Sequence, residues 1–339
     1  MLHDIWFLLI AVLWIGYFVL EGFDFGVGIL LPFLGHTDKE RRALINTIGP
    51  VWDGNEVWVL VAGGATFAAF PHWYATLFSG FYLALFLILA GLIVRGVAFE
   101  YHSKRNGAGW RRAWDWAICI ASAVPALLWG VAFANIVGGT PIDKNMEFTG
   151  NLLTLLNPFG LLGGVVTLSL FITHGAAYLA LKTEGQLRDR ANKTVLISGL
   201  VTTVAAVLFL GWTQLSSMVA ASAVVSVLAA LALVGALGAN LLKREGWTFI
   251  GTALTILLAV SALFLHLYPN VMPSSTDPAF SLTITNASST DYTLTIMTVV
   301  ALIFTPLVLL YQGWTYWIFR KRISADRIPD VSELASPSA

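Results

Sequence analysis

Four carboxylates fall within 36 residues of otherwise apolar sequence: Glu21 and Asp24 in EGFDFGVG, then Asp53 and Glu56 in WDGNEVW. Each pair is spaced i,i+3, which on a helix puts both acids on one face about one turn apart. A carboxylate inside a bilayer span is expensive to keep charged, and such residues commonly mark ion, proton or substrate pathways. The plainer account is that they cap helices or pair with Arg95 and lock a bundle. The chemistry these residue types would support is proton uptake and relay, and that reading is carried forward.

Positioning such groups calls for a membrane-embedded helical frame, and the composition supplies one. Hydrophobic residues make up 57% of the 339 and charged residues 11%, against about 25% charged in soluble domains. Mean hydropathy is +0.78. The formal net charge is zero, which argues against a nucleic-acid partner. A lone cysteine, Cys119, excludes an intramolecular disulfide and any cysteine-based metal cluster. The opening MLHDIWFLLIAVLWIGYFVL lacks a basic n-region and a small-x-small cleavage site, so it reads as a retained first span rather than a signal peptide.

Apolar runs predict an all-α polytopic membrane protein with nine spans, at approximately 5–33, 52–70, 74–100, 114–138, 157–181, 194–212, 219–242, 247–268 and 292–319. Eight of them joined by short loops suggest two four-helix bundles, with the ninth peripheral. Gly22/Gly26 and Gly160/Gly164 offer small-xxx-small contacts for close helix approach. Alternate connections and the C-terminal tail hold 17 of the 19 basic residues; only Lys144 falls on the other side, and Arg95 lies within a span. The positive-inside rule then places the N-terminus outside and the C-terminus in the cytoplasm. Segment 37–50 reads as a short interfacial helix, capped by Thr37 with Glu40 three residues on and ended by Gly49-Pro50. Larger outer loops are expected at 139–156 and 269–291, and a mobile cytoplasmic tail at 324–339.

In this orientation Asp53 and Glu56 lie near the inner end of the second span, and Glu21 and Asp24 in the inner half of the first. That suits an inner half-channel. Glu100 and Asp115, near the same surface, read as interfacial charges paired with Arg111 or Arg112. Arg95 is expected to neutralise one of the acids, the other role open to it being a contact to a quinone or a haem propionate. Asn46 and Asn55 would bridge water chains or act as polar glue between helices. Trp58 flanks the second acid pair, as packing or as channel lining, whereas Trp6, Trp73, Trp110, Trp212, Trp247 and Trp317 fall where an aromatic belt would. Only His174 and His266 lie within spans, at depths that differ by roughly 16 Å, while the axial nitrogens of one haem are about 4 Å apart. A bis-histidine haem between them is therefore not expected.

Several stretches, taken in order, resemble subunit II of cytochrome bd quinol oxidase: EGFDFGVGILLPFLG, ERRALINTIGPVWDGNEVWVLVAGGATFAAFP, FSGFYLAL, WRRAWDWAI, TGNLLTLLNPFGLLGGVVTL, VMPSST and LLYQGWTYW. The similarity covers nearly the whole chain, and WDGNEVW following GFDFGVG is its most specific part. The cyanide-insensitive variant class shares these motifs. The resemblance implies a subunit of a non-pumping, electrogenic oxidase that takes electrons from membrane quinol and reduces dioxygen to water in the bacterial cytoplasmic membrane. It implies that two b-type haems and one d-type haem belong to the partner, subunit I. This chain would bind no haem, and would serve assembly and the delivery of protons from the cytoplasm. Asp53 matches the family's proton-route aspartate, Asp24 another characteristic acid, and Glu21 a position where an acid is common. A structural quinone and small accessory membrane subunits are compatible with the resemblance, with no residues mapped to either. The connection at 213–219 is shorter than in some members.

Two other classes compete with this reading. A proton-coupled secondary transporter also carries midplane acids and broken helices. A purely structural scaffold would use the acids only as packing devices.

Overall fold

Long apolar runs with few breakers become long helices, and their polar interruptions decide where those helices bend, stop or meet. The computed structural model describes residues 1–105 and 107–329. Its helices are α1 (Leu2–Leu34), α2 (Asp38–Ile48), α3 (Trp52–Ala69), α4 (Pro71–Gly80), α5 (Tyr82–Tyr101), α6 (Ala108–Gly138), α7 (Leu152–Leu155), α8 (Pro158–Lys182), α9 (Gly185–Ser216), α10 (Ala220–Leu241), α11 (Glu245–Leu267) and α12 (Asp291–Ile318). A short hairpin of β1 (Asn270–Met272) and β2 (Leu282–Thr283) pairs antiparallel in the loop before α12.

α1 packs on α3 and α6, and α5 packs on α6; α8 packs on α9 and α11, and α10 on both of those. These are the two four-helix groups, joined where α1 and α6 meet α8. α12 lies at the edge, against α1 and α3, with almost none of its apolar stretch buried. An aromatic cluster fills the junction: Trp14 and Trp129 meet edge to face at 4.9 Å, and the Trp129 indole donates to the Tyr17 hydroxyl at 3.1 Å.

Eight of the helices are long and apolar enough to cross a membrane, rather than the nine expected. The exception is α3, whose opening WDGNE carries three strongly polar side chains, of which Asn55 and Glu56 face protein groups and Asp53 is exposed. The expected third span bends at Phe81 into α4 and α5. Ser79 and Gly80 are weak helix formers, and Gly80 lies hard against Phe148. α9 begins at Gly185, nine residues before the expected apolar start, because its first turns are polar yet helical. The two larger loops, 139–156 and 269–291, brace one another: the Thr140 amide donates to Pro273 O (3.1 Å), and the Ser275 amide to Thr140 O (2.8 Å). Trp6 and Trp73 are buried rather than belted, and the Trp6 indole donates to Thr298 Oγ1 at 3.1 Å. Residues 324–329 dock on α2, where Arg42 Nη2 donates to Pro329 O at 2.7 Å; the rest of the expected mobile segment, 330–339, lies outside the described residues.

α2 forms as its capping box requires. Thr37 Oγ1 accepts from the Glu40 amide, and Glu40 Oε2 accepts from the amides of His36 (2.8 Å) and Thr37 (3.1 Å). The other Glu40 oxygen pairs with Arg190, which also donates to Leu34 O, so one carboxylate ties α2 to α9 and the end of α1. Partial burial alone would raise the Glu40 pKa, but Arg190 and the two amides together hold it below its usual value. A depressed carboxyl stabilises the fold above its unfolded pKa of about 4.3, and that contribution is lost only as pH falls through the lower folded value. The protection of the amides over 36–45, taken relative to their intrinsic exchange rates at each pH, should therefore be unchanged between pH 7 and 5, whereas Glu40→Gln should lower it several-fold at pH 7; hydrogen-exchange mass spectrometry reads both.

α1 crosses α8 with the two backbones in close approach. A Cβ on Gly26 would sit 2.0 Å from Phe171 O and 2.8 Å from Gly175 Cα. Such backbone-to-backbone approach is what small residues allow between membrane helices. Gly26→Val should abolish accumulation of the protein in membranes. Gly64→Ala, which meets nothing within 4 Å, should leave the yield unchanged on the same immunoblot.

Candidate functional site: a buried acid–arginine network

Helix α1 brings Glu21 and Asp24 into the bundle on its inward face, and both are fully buried. α5 inserts Arg95, also fully buried, so that Nη2 pairs with Glu21 and lies 2.9 Å from Glu56 Oε2 on α3. The guanidinium stacks over Phe25 at 4.7 Å. One arginine thus bridges carboxylates from two helices, with a second α1 carboxyl one turn away. Glu21 Oε2, Asp24 Oδ1, and Arg95 Nε and Nη1 are buried without a hydrogen-bond partner among the described residues.

Asp24 is served by an amide instead. Asn55 Nδ2 donates to Asp24 Oδ2 at 2.7 Å. On its other side Asn55 Oδ1 accepts from Tyr316 Oη (2.8 Å) and Gln312 Nε2 (3.1 Å), both on α12. Gln312 Oε1 in turn accepts from the Trp58 indole at 2.9 Å. Trp58 also lies where a Cβ on Gly16 would stand, 2.3 Å from its ring, so glycine there admits α3 to α1.

Asp53 does not join this network. It is exposed in the first turn of α3 and makes no hydrogen bond or ion pair among the described residues. At about 100° per residue, Asn55 lies some 200° around the helix from Asp53. Turning Asn55 and Glu56 towards α1 and α5 therefore turns Asp53 outward, and the i,i+3 pair straddles the edge of the buried face. Glu100 is likewise exposed at the end of α5. Asp115 pairs with Arg41 (2.9 Å) and His102 (2.9 Å), not with Arg111 or Arg112; Arg111 is drawn instead to Asp38 at 2.9 Å by the docking of α2. Gln312 and Tyr316 carried no role in the sequence reading. Their signal was there: two polar groups spaced i,i+4, hence on one face, in an otherwise apolar last span.

His174 is enclosed rather than open to a metal. Nδ1 is 2.7 Å from Thr252 Oγ1, Nε2 is 3.0 Å from Val19 O, and the ring stacks on Phe249 with centroids 4.7 Å apart. With both nitrogens and one face used, this residue does not fit a haem iron. No group of three metal-ligating side chains occurs among the described residues. A separate apolar cavity of about 280 Å³ lies where the second bundle meets α1 and α6, walled by Phe18, Phe133, Leu170, Phe209, Leu233 and Val260.

Fold and site together define a multi-pass helical membrane protein with a buried acid–arginine network in its first bundle. The chain belongs to the cytochrome bd terminal oxidase subunit II family, which it matches over residues 2–319. It is 43% identical over 328 residues to cytochrome bd ubiquinol oxidase subunit 2 of Bacillus subtilis, covering 95% of this chain and 97% of that one. It is 41% identical to cytochrome bd-I ubiquinol oxidase subunit 2 of Escherichia coli K12, covering 96% of each. Among solved structures, a chain from the bd oxidase of Geobacillus thermodenitrificans shares the fold. Its TM-score is 0.76 at 17% identity, over 94% of this chain and 99% of that one.

Removing one partner of a buried pair costs about 3–5 kcal/mol, because the remaining charge is left uncompensated. Arg95→Met should lower the thermal unfolding midpoint in detergent accordingly. Arg95→Met combined with Glu21→Gln should recover part of the loss; if the double variant is no better than the single one, Arg95 is not acting as the counter-charge.

Proposed function

We propose that this chain is the haem-free subunit II of a bd-type quinol:oxygen oxidoreductase in the bacterial cytoplasmic membrane. It would work beside a haem-bearing subunit I, assist its assembly and bring protons from the cytoplasm towards the site of dioxygen reduction. The observation that carries this is the Arg95 bridge between Glu21 and Glu56 with Asp24 beside it, in a chain of this family. Two carboxyls face one guanidinium and a third lies one turn away, so charge balance in the cluster calls for protons, and it can pass them on only if they exchange. The orphaned oxygens and guanidinium nitrogens are the points at which water would link the acids.

The N-out, C-in orientation is supported by the clustering of basic side chains at one end, where Arg41, Arg42, Arg111 and Arg190 all meet α2 or its flanks. Asp53 and Glu100, exposed at that same end, are placed to take protons from water or to hand them to the partner. The bare apolar surface of α12 supports a partner subunit or lipid against it. A structural quinone tail would suit the apolar cavity, where the buried Ser226 hydroxyl has no hydrogen-bond partner among the described residues. A proton-coupled transporter is not favoured: its acids would sit at matching points of two halves, whereas these lie in one bundle, and the curated relatives are oxidase subunits.

Glu56→Gln and Asp53→Asn should slow oxygen uptake by the purified complex by about tenfold or more, on the scale of a positioned proton-transfer group. Its haem absorption spectrum and subunit composition should not change. Full turnover by both variants in an intact complex would sink the proton assignment and leave the scaffold role.

A further inference from the structure

Helix α12 contributes nothing charged to the bundle interior, yet two of its side chains end on the amide that serves Asp24. The polarity of that connection is forced. An indole nitrogen only donates, so Gln312 Oε1 must face Trp58, at 2.9 Å. The Gln312 NH2 is thereby turned to Asn55 Oδ1 (3.1 Å), which also accepts from Tyr316 Oη (2.8 Å). With its oxygen occupied by two donors, Asn55 has only its NH2 left for α1, and that group donates to Asp24 Oδ2 at 2.7 Å. Every bond in the series runs one way, and the last acceptor is the Asp24 carboxyl.

The same helix is otherwise loosely held. Leu302, Phe304, Leu307 and Leu310 are exposed. Its outer end is tied by Trp6 to Leu294 O and Thr298 Oγ1, and its inner end by Lys182 to the Phe319 and Lys321 carbonyls. Between these ties its polar links to α3 near the acids are the Trp58–Gln312 bond and the contacts of Gln312 and Tyr316 with Asn55. A small shift of α12 would free Asn55 to rotate, and the donor to Asp24 would be lost.

We propose that Gln312 and Tyr316 are positioning residues for Asp24: acting through Asn55, they fix the hydrogen bond that its carboxyl accepts, so that the seating of α12 against the first bundle sets the state of the proton route. This rests on the proton-delivery reading above and adds to it a control point on the peripheral helix. Whatever covers the bare face of α12 then bears on Asp24, although no residue of that face touches an acid.

The test uses the intact oxidase complex. The infrared band of Asp24 is first assigned as the one that Asp24→Asn removes. Tyr316→Phe deletes a single oxygen and keeps the ring; Gln312→Met removes the other donor while keeping the length of the side chain. Each should shift the Asp24 band, the double variant more than either, and oxygen uptake should fall about threefold to tenfold in parallel, a change of the size expected when one hydrogen bond of about 1 kcal/mol is lost. An unmoved band in an assembled Tyr316→Phe/Gln312→Met complex overturns the proposal. Failure of both single variants to assemble also overturns it, in favour of a purely anchoring role. Full turnover in Asp24→Asn together with a shifted band in Tyr316→Phe would remove Asp24 from the proton route while leaving its positioning by α12 intact.

Discussion

The interaction on which the first bundle depends is the contact of Arg95 with Glu21 and Glu56. A guanidinium with no exposed surface must have its charge met inside the protein, and here α1 and α3 each supply one carboxylate. That requirement fixes the rotation of three helices at once. α1 must turn Glu21 inward, which carries Asp24 in with it one turn later. α3 must turn Glu56 inward, which brings Asn55 to Asp24 and sends Asp53 out. The planar guanidinium makes this feasible, since Nη2 meets both carboxylates while the flat side rests on Phe25. A lysine would bring a point charge with no flat face to stack.

Such a cluster is costly in a membrane, and its arrangement shows how the cost is contained. The acids are faced by protein from α1, α3 and α5 rather than by lipid. The polar start of α3 is acceptable for that reason, although it disqualifies that helix by apolarity alone. Asp24 receives an amide donor instead of a share of the arginine, so the two α1 acids, one turn apart, sit in different hydrogen-bonding surroundings. A scaffold would be better served by complete pairing, and the unpartnered oxygens of Glu21 and Asp24 are not complete.

Much of this was legible in the residues. The capping box of α2 is a local pattern, and it formed as written because Thr37 and Glu40 need only each other and the nearby backbone. The i,i+3 spacing of Glu21 and Asp24 carried both inward, since each lies in the middle of a long helix buried on several sides. The same spacing misplaced Asp53, because a pair near the edge of a buried face is divided by it, and only the neighbouring helices say where that edge lies. Asp115 was assigned to nearby arginines, but its partner Arg41 arrives from a distant part of the chain when α2 docks. The bend at Phe81 was hidden because hydropathy does not register Ser79 and Gly80 as weak points in an apolar run. The early start of α9 was hidden for the converse reason: its first turns are helical without being apolar.

The last helix shows what apolar pattern alone conceals. By hydropathy α12 is the simplest span in the chain, and almost none of it is buried. Two polar side chains one turn apart would be an unexplained expense on a lipid-facing helix, and they are absorbed because both reach a single amide oxygen in the neighbouring bundle. Greasy packing against α1 and α3 would hold α12 in many registers, since apolar contacts are not directional. Hydrogen bonds to one atom select one of them. In that register Asn55 is held with its donor towards Asp24, so the structural problem of seating an exposed helix and the chemical problem of orienting a buried acid have the same solution.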